Sequence, residues 1–114
     1  SRPATSAVSD CPTNGQSLRG SRTPLTCGCP AVARVEYEED LIRGWGDGVY
    51  TDDSNICYVA IHDGRITTSG GRVTVWAAPG QARYGRATRN GIASIDYRDF
   101  PASFRFTPPP TRRR

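Results

Sequence analysis

Apolar and polar residues alternate in two stretches of this chain, and each stretch predicts a β-strand. The stretches are 72–77 (Arg-Val-Thr-Val-Trp-Ala) and 103–107 (Ser-Phe-Arg-Phe-Thr). Glycine and proline pairs bound the first of them, as is typical of strand ends. Shorter and weaker strands are expected at 34–38, 48–51 and 92–97, the last opened by the turn pair Asn90-Gly91.

A helical spacing of apolar residues replaces this alternation over 55–63 and predicts one helix. Its apolar positions occupy two adjacent faces, which is typical of a buried helix: Ile56, Cys57, Val59, Ala60 and Ile61. Asp52, Asp53 and Ser54 precede the helix and are expected to cap its N terminus. Gly64 is expected to end it.

One buried helix among about five short strands predicts an α+β fold, with the helix enclosed by antiparallel sheet. The 114 residues provide for one domain, expected over 11–106. The small and polar residues 1–10 are expected to form an arm, and 107–114 a Pro/Arg-rich tail. Because the chain begins Ser1-Arg2-Pro3 without Met, it is expected to be a processed or trimmed product.

Charge is distributed unevenly along the chain, although the net charge is only +4. Residues 34–53 carry seven acidic side chains against two arginines, whereas 65–114 carry ten arginines against two aspartates. All 15 basic residues are arginine, as expected of a GC-rich genome. Such a dipole is compatible with an ordinary solvated surface, and also with a face that steers a charged partner.

The four cysteines predict two disulfides and therefore an oxidising, extracytoplasmic compartment. Cys27 and Cys29 are too close in sequence to bond each other without strain, so two pairings remain. We favour the sequential one, Cys11–Cys27 with Cys29–Cys57. A zinc site formed by the thiolates and His62 is the alternative. It is disfavoured because structural zinc sites usually contain two Cys-x2–4-Cys pairs, and neither Cys11 nor Cys57 has a neighbouring cysteine.

Several segments, in order, resemble the LCCL domain family over about 11–106. They are 25–30 (LTCGCP), 46–57 (GDGVYTDDSNIC), 60–64 (AIHDG), 70–75 (GGRVTV) and 89–94 (RNGIAS). The resemblance implies a short central helix wrapped by twisted antiparallel sheets, the sequential disulfide pairing and an extracytoplasmic location. We expect a bacterial member. The acidic segment 35–43 looks longer than is usual in the family, and no family role is carried onto it.

The resemblance also implies a non-catalytic adhesion or recognition module that binds lipopolysaccharide-like lipids, carbohydrate or other proteins. The residues agree, because His62 is the only histidine and no Gly-x-Ser-x-Gly motif accompanies it. We expect His62, Ser54 and Gly64 to be structural, and we expect no catalytic residue, metal or cofactor. No segment is long and apolar enough for a membrane span.

Arginines are the candidate binding residues, because a guanidinium group suits an acidic protein, a phosphate-bearing glycolipid or an acidic glycan. The candidates are seven arginines together with one aromatic residue close to three of them, Tyr84. The arginines are Arg72, Arg83, Arg86, Arg89, Arg112, Arg113 and Arg114. Nucleic acid is a disfavoured partner because an exported protein seldom meets it. Two hypotheses follow. One is a secreted or periplasmic recognition module. The other is a structural subunit of an extracytoplasmic assembly, held by its tails and acidic segment.

Overall fold

A computed structural model of the chain describes residues 9–31 and 44–108. The predicted strand 34–38, the acidic segment 35–43, the arm up to residue 8 and the tail from residue 109 lie outside them. The elements in chain order are a 3-10 turn (Gln16–Leu18), β1 (Leu25–Cys29), β2 (Gly46–Asp47), β3 (Val49–Thr51), α1 (Ile56–His62), β4 (Gly71–Tyr84), β5 (Thr88–Arg89), β6 (Ile92–Ala93) and β7 (Tyr97–Arg105).

The strands form a five-stranded antiparallel sheet in the order β1-β4-β7-β3-β2, with β5 and β6 as a separate pair. The predicted α+β class is therefore confirmed. β4 is twice as long as the alternating run that predicted it, because its two halves have different neighbours. Residues 71–75 pair with β1, and the remainder, to Tyr84, pairs with β7.

One register runs through the whole ribbon that β4, β5, β6 and β7 form. Arg89 lies opposite Ile92, Tyr84 opposite Tyr97 and Trp76 opposite Arg105, so every pair is centred on the same two residues, Asn90 and Gly91. Both have positive φ, at +55° and +80°. A two-residue type I′ turn needs this conformation, and Asn-Gly is a preferred sequence for it. The turn therefore sets the pairing of the entire ribbon.

The β4–β7 ribbon bends sharply in its middle. The Tyr84 hydroxyl accepts a hydrogen bond from Gln81 N at 3.0 Å and also bonds the Ser103 hydroxyl. Ser103 lies opposite Ala78, six residues before Tyr84, which in a straight strand is about 20 Å away. Gly80 allows the bend, because a Cβ there would lie 2.1 Å from the Phe100 carbonyl oxygen.

The helix α1 is buried, as its apolar spacing predicts, but its N-cap is Asn55 and not the preceding run Asp52 to Ser54. The Asn55 side chain accepts a hydrogen bond from Tyr58 N at 2.9 Å. At the other end Gly64 has φ +80°, and Arg65 N donates to Ala60 O. This Schellman arrangement confirms Gly64 as the residue that ends the helix.

The hydrophobic core lies where α1 packs against the inner face of the sheet. From the helix it contains Ile56, Val59 and Ala60, all fully buried. From the strands it contains Cys27, Tyr50, Val73, Val75 and Phe104, and Phe106 follows β7. Leu18 of the 3-10 turn closes one side of this cluster.

Candidate functional site

The two disulfides are Cys11–Cys27 and Cys29–Cys57, which confirms the sequential pairing. The first joins the segment before the 3-10 turn to β1, and the second joins β1 to α1. Sγ atoms of Cys11, Cys29 and Cys57 lie within 4.8 Å of one another. All of them are disulfide sulfurs, and a metal would need thiolates instead.

His62 lies wholly inside the protein, and both of its ring nitrogens are used. Nε2 is 2.9 Å from the Ala87 carbonyl oxygen, which can only accept, so Nε2 donates there. The Tyr50 hydroxyl lies 2.8 Å from Nδ1 and 3.2 Å from Asp63 Oδ1, and it shares its single proton between these two acceptors. Burial raises the pKa of Tyr50, which keeps this hydroxyl protonated as a donor. These contacts tie α1 to β3 and to the segment before β5.

Ser54 and its acidic neighbours also have structural contacts. The Ser54 hydroxyl accepts from Trp45 N at 3.0 Å and lies 2.9 Å from the Thr51 hydroxyl. Asp52 is fully buried, and both of its carboxylate oxygens accept hydrogen bonds from the Arg19 guanidinium, at 2.9 and 3.0 Å. This pairing raises the pKa of Arg19. The run before the helix therefore holds the 3-10 turn and the β2 entry in place.

The structure separates the candidate arginines that sequence reasoning grouped together. Arg72 is exposed near the start of β4, opposite Gly28, whereas Arg83 is exposed near its other end. Arg86 is exposed in the segment between β4 and β5. Arg112, Arg113 and Arg114 lie outside the described residues.

Arg89 already has an acidic partner. Its guanidinium donates to both carboxylate oxygens of Asp47, at 2.7 and 2.8 Å. The hydrogen bond lowers the pKa of Asp47 and raises that of Arg89. This ion pair connects β2 with the β5–β6 hairpin, so Arg89 is less available to a ligand than the unpaired arginines.

Tyr84 is buried, with only 3% of its surface exposed. Its hydroxyl is engaged with Ser103 and with Gln81 N at the bend of the ribbon. The Tyr84 ring is therefore not offered to a ligand in the way that its place among the arginines suggests. Its role in the structure is to hold the bent ribbon together.

A cleft of about 660 Å³ opens at the end of the ribbon nearest the β5–β6 hairpin. Its lining comes from two facing segments, 83–85 at the end of β4 and 96–98 at the start of β7: Arg83, Tyr84, Gly85, Asp96, Tyr97 and Arg98. We call it the ribbon-end cleft. Arg83 and Arg98 are directly opposite each other, so their side chains leave the same face of the ribbon.

Neither Arg83 nor Arg98 forms an ion pair with an acidic side chain in the part of the chain that the structure describes. Both are exposed, as is Asp96 in the same cleft. Tyr97 is 48% exposed, more than any other large hydrophobic residue among 9–31 and 44–108. Its ring packs edge-on against Trp45 and Phe100. The cleft thus combines two free guanidinium groups, one carboxylate and a half-exposed aromatic residue.

Sequence reasoning did not single out Arg98, Tyr97 or Asp96. The signal that would have found them is the Asn90-Gly91 turn. Counting outward from it in a two-residue hairpin places Arg98 opposite Arg83. This pairing was missed because the strand over 72–77 was expected to end before Pro79-Gly80.

The fold and site together define a class of protein: a small α+β domain held by two disulfides, with a buried helix and an arginine-bearing ribbon exposed to solvent. No helix among the described residues is long and apolar enough to cross a membrane. The sequence model of the LCCL domain family matches residues 4–104. The chain belongs to the LCCL domain family.

Three relatives show the extent of the similarity. Human cochlin is 36% identical over 99 residues, which is 85% of this chain and 16% of cochlin. Clotting factor C of Tachypleus tridentatus is 36% identical over 85 residues, or 73% of this chain and 8% of that protein. Mouse vitrin is 37% identical over 76 residues, or 67% and 11%. The chain thus spans about a sixth or less of each relative's length.

Proposed function

We propose that this LCCL domain is a non-enzymatic, extracytoplasmic recognition module that binds an anionic partner, either a protein or an acidic glycan or glycolipid. One observation carries the proposal. Arg72, Arg83, Arg86 and Arg98 are exposed, and none of them forms an ion pair within the described ranges. Arg19, Arg65 and Arg89, by contrast, are each paired with an aspartate.

The unpaired arginines are concentrated on the ribbon. Arg83 and Arg98 lie on β4 and β7, Arg86 lies two residues after β4, and Arg72 lies in the part of β4 that pairs with β1. Arg22, also exposed and without a described ion pair, lies before β1. Guanidinium groups bind carboxylate, sulfate and phosphate through two parallel hydrogen bonds. Exposed cationic groups on one element attract an anionic partner from solution and favour its binding.

The two disulfides support an extracytoplasmic location, because such bonds persist in oxidising compartments. The enclosure of His62 supports a non-enzymatic role, because the ring is fully buried and both nitrogens are bonded to the protein. The structural-subunit hypothesis depends on the terminal segments and on 35–43. These lie outside the described residues, so that hypothesis gains no structural support.

Calorimetric titration with three anionic probes tests the proposal: sodium polygalacturonate, poly-L-glutamate, and vesicles containing an anionic phospholipid. We expect at least one probe to bind at about 0.01 M salt and to bind much more weakly at about 0.15 M, where screening is stronger. Neutral dextran is the matched control and is expected not to bind. Absence of binding by all three anionic probes at low salt would refute the proposal.

A further inference from the structure

We propose that the ribbon-end cleft is a binding site for an acidic glycan, with Arg83 and Arg98 holding one carboxylate or sulfate group of the polysaccharide between them. This inference rests on the proposed function and names its site and ligand class. It assigns a role to Arg98 and Asp96, which the sequence alone does not single out. It also separates Arg83 from the other exposed arginines.

Two like charges face each other in the cleft. Arg83 and Arg98 lie directly opposite each other on neighbouring strands, where like charges destabilise a sheet. Tyr84 and Tyr97 are the next pair along, so the arginines form the last pair but one between β4 and β7. No described carboxylate forms an ion pair with either of them. A bound carboxylate or sulfate would offset one of the two positive charges and accept hydrogen bonds from two guanidinium groups at once.

The same cleft also contains the carboxylate of Asp96. The side chains in the cleft carry two positive charges and one negative charge, so the electrostatic potential in the cleft is positive in one part and negative in another. A densely charged polyanion would bring a further anionic group towards Asp96 and be repelled. A glycan places hydroxyl groups between its charged groups, and hydroxyls donate hydrogen bonds to a carboxylate. Asp96 therefore favours an acidic glycan over polyphosphate.

The cleft is large, and charged side chains make up much of its lining. Its volume of about 660 Å³ is enough for a segment of a chain molecule, yet its lining side chains include three exposed charged groups. Pockets that enclose small apolar ligands are lined mainly by hydrophobic residues, which this one is not. Gly85 is part of the lining, and the space beside it is open, since a Cβ there would meet no atom within 4 Å. A polar ligand that stays partly in water fits this geometry.

Single substitutions distinguish this site from general electrostatic attraction, with polygalacturonate as the probe at low salt. We expect R83Q and R98Q each to weaken binding about tenfold, as loss of one charge-assisted hydrogen bond predicts. R22Q removes the same charge from the exposed segment before β1, outside the ribbon, and is the matched control, with an expected effect below about twofold. Gly85→Leu adds a side chain to the lining of the cleft without changing charge and is expected to weaken binding.

Asp96→Asn gives effects of opposite sign on two probes. We expect it to weaken polygalacturonate binding, because one of two acceptor oxygens and the charge that strengthens hydroxyl hydrogen bonds are lost, and to strengthen inorganic polyphosphate binding, because a repulsive charge is lost. If both probes bind more tightly, Asp96 only repels anions and the glycan assignment is wrong. Far-ultraviolet circular dichroism and a urea titration of every variant show whether its fold is intact.

The remaining outcomes separate the site from the function. Equal weakening by R22Q and R83Q would overturn the ribbon-end cleft but leave anion binding intact. Tighter binding of poly-L-glutamate or of anionic vesicles than of polygalacturonate, again dependent on Arg83, would overturn the glycan and point to an acidic protein or a lipid surface. Failure of every anionic probe would overturn both this inference and the proposed function.

Discussion

Removing the Cys29–Cys57 disulfide in the double variant C29A/C57A is expected to destabilise the domain by about 3.6 kcal/mol. The bond closes a loop between residues 28 positions apart, and this value is the loop-closure entropy that the unfolded chain regains at about 25 °C. The Cys11–Cys27 bond, with a separation of 16, is expected to contribute about 3.1 kcal/mol by the same relation. Against a total stability of about 5–15 kcal/mol for a small domain, either loss is large.

Each bond has one buried cysteine, Cys27 or Cys29, so truncation to alanine should create similar cavities in the two variants. Their difference in stability should therefore reflect loop length. Urea unfolding followed by tryptophan fluorescence measures the free energy of unfolding of the wild type, C11A/C27A and C29A/C57A. The slope of that free energy against urea should rise in both variants, because an uncrosslinked unfolded chain exposes more surface.

A loss below about 1 kcal/mol in C29A/C57A would contradict the loop-entropy argument. An unchanged urea slope would do the same, because it would mean that the bond does not constrain the unfolded chain. A much larger loss in C11A/C27A than in C29A/C57A would show that packing of the bond in the native state, and not loop length, sets its contribution.

Three further substitutions test the contacts around the site. Y50F leaves Nδ1 of His62 buried without its donor and should cost about 1–3 kcal/mol in urea unfolding, whereas Y97F at an exposed ring should stay within about 0.5 kcal/mol. N90A loses both the bond to His62 O and a residue suited to positive φ, so it should destabilise more than N90G, which keeps the conformation. The Asp47 pKa is lowered in the folded protein, so its stabilising effect is present above the ordinary value of 3.8 and is lost as pH falls through the lowered pKa. In R89Q the Asp47 pKa measured by NMR should rise towards 3.8, and stability should fall less steeply with pH below that value; an unchanged pKa would contradict the ion pair.

The helix and the disulfide framework were predictable because each depends on a short-range pattern. Ile56, Val59 and Ala60 recur at helical spacing, and Gly64 occupies the position where a left-handed residue ends a helix. The constraint that Cys27 and Cys29 do not bond each other left two cysteine pairings, and the resemblance to the LCCL family implied the sequential one. The helical spacing and its glycine stop require no knowledge of which segments meet in space.

The N-cap was not predictable in the same way, because four consecutive side chains are able to cap a helix. Tertiary contacts decide among them. The Asp52 carboxylate accepts a hydrogen bond from Arg19, which is 33 residues away in sequence. The Ser54 hydroxyl accepts one from the backbone N–H of Trp45. Asn55 is left to accept from Tyr58 N. Local sequence preference identifies the residues that can cap the helix, and contacts between residues distant in sequence determine which of them is the N-cap.

The ribbon-end cleft was not predictable from the sequence, because β4 and β7 contain residues that normally interrupt strands. Pro79 and Pro101 lie within β4 and β7, where they would break a central ladder. Beyond residue 75, however, β4 has β7 on one side and no paired strand on the other among the described residues. An edge strand tolerates proline because one row of its backbone groups needs no partner. The sequence carried the Asn90-Gly91 register, but not the fact that this part of β4 is an edge.

The same architecture makes the binding experiment interpretable. Both disulfides attach to β1, and only Cys29–Cys57 reaches the helix. β1 pairs with residues 71–75 of β4, whereas Arg83 lies beyond the Gly80 bend at the other end of that strand. Arg83 and Arg98 are exposed and make no described ion pair, so replacing either should change the free energy of unfolding by less than about 0.5 kcal/mol. Relief of the repulsion between them should even stabilise the ribbon slightly. A tenfold loss of glycan binding in a variant that is as stable as the wild type then reports on the cleft itself, and a marked loss of stability in R83Q would show instead that this arginine supports the fold.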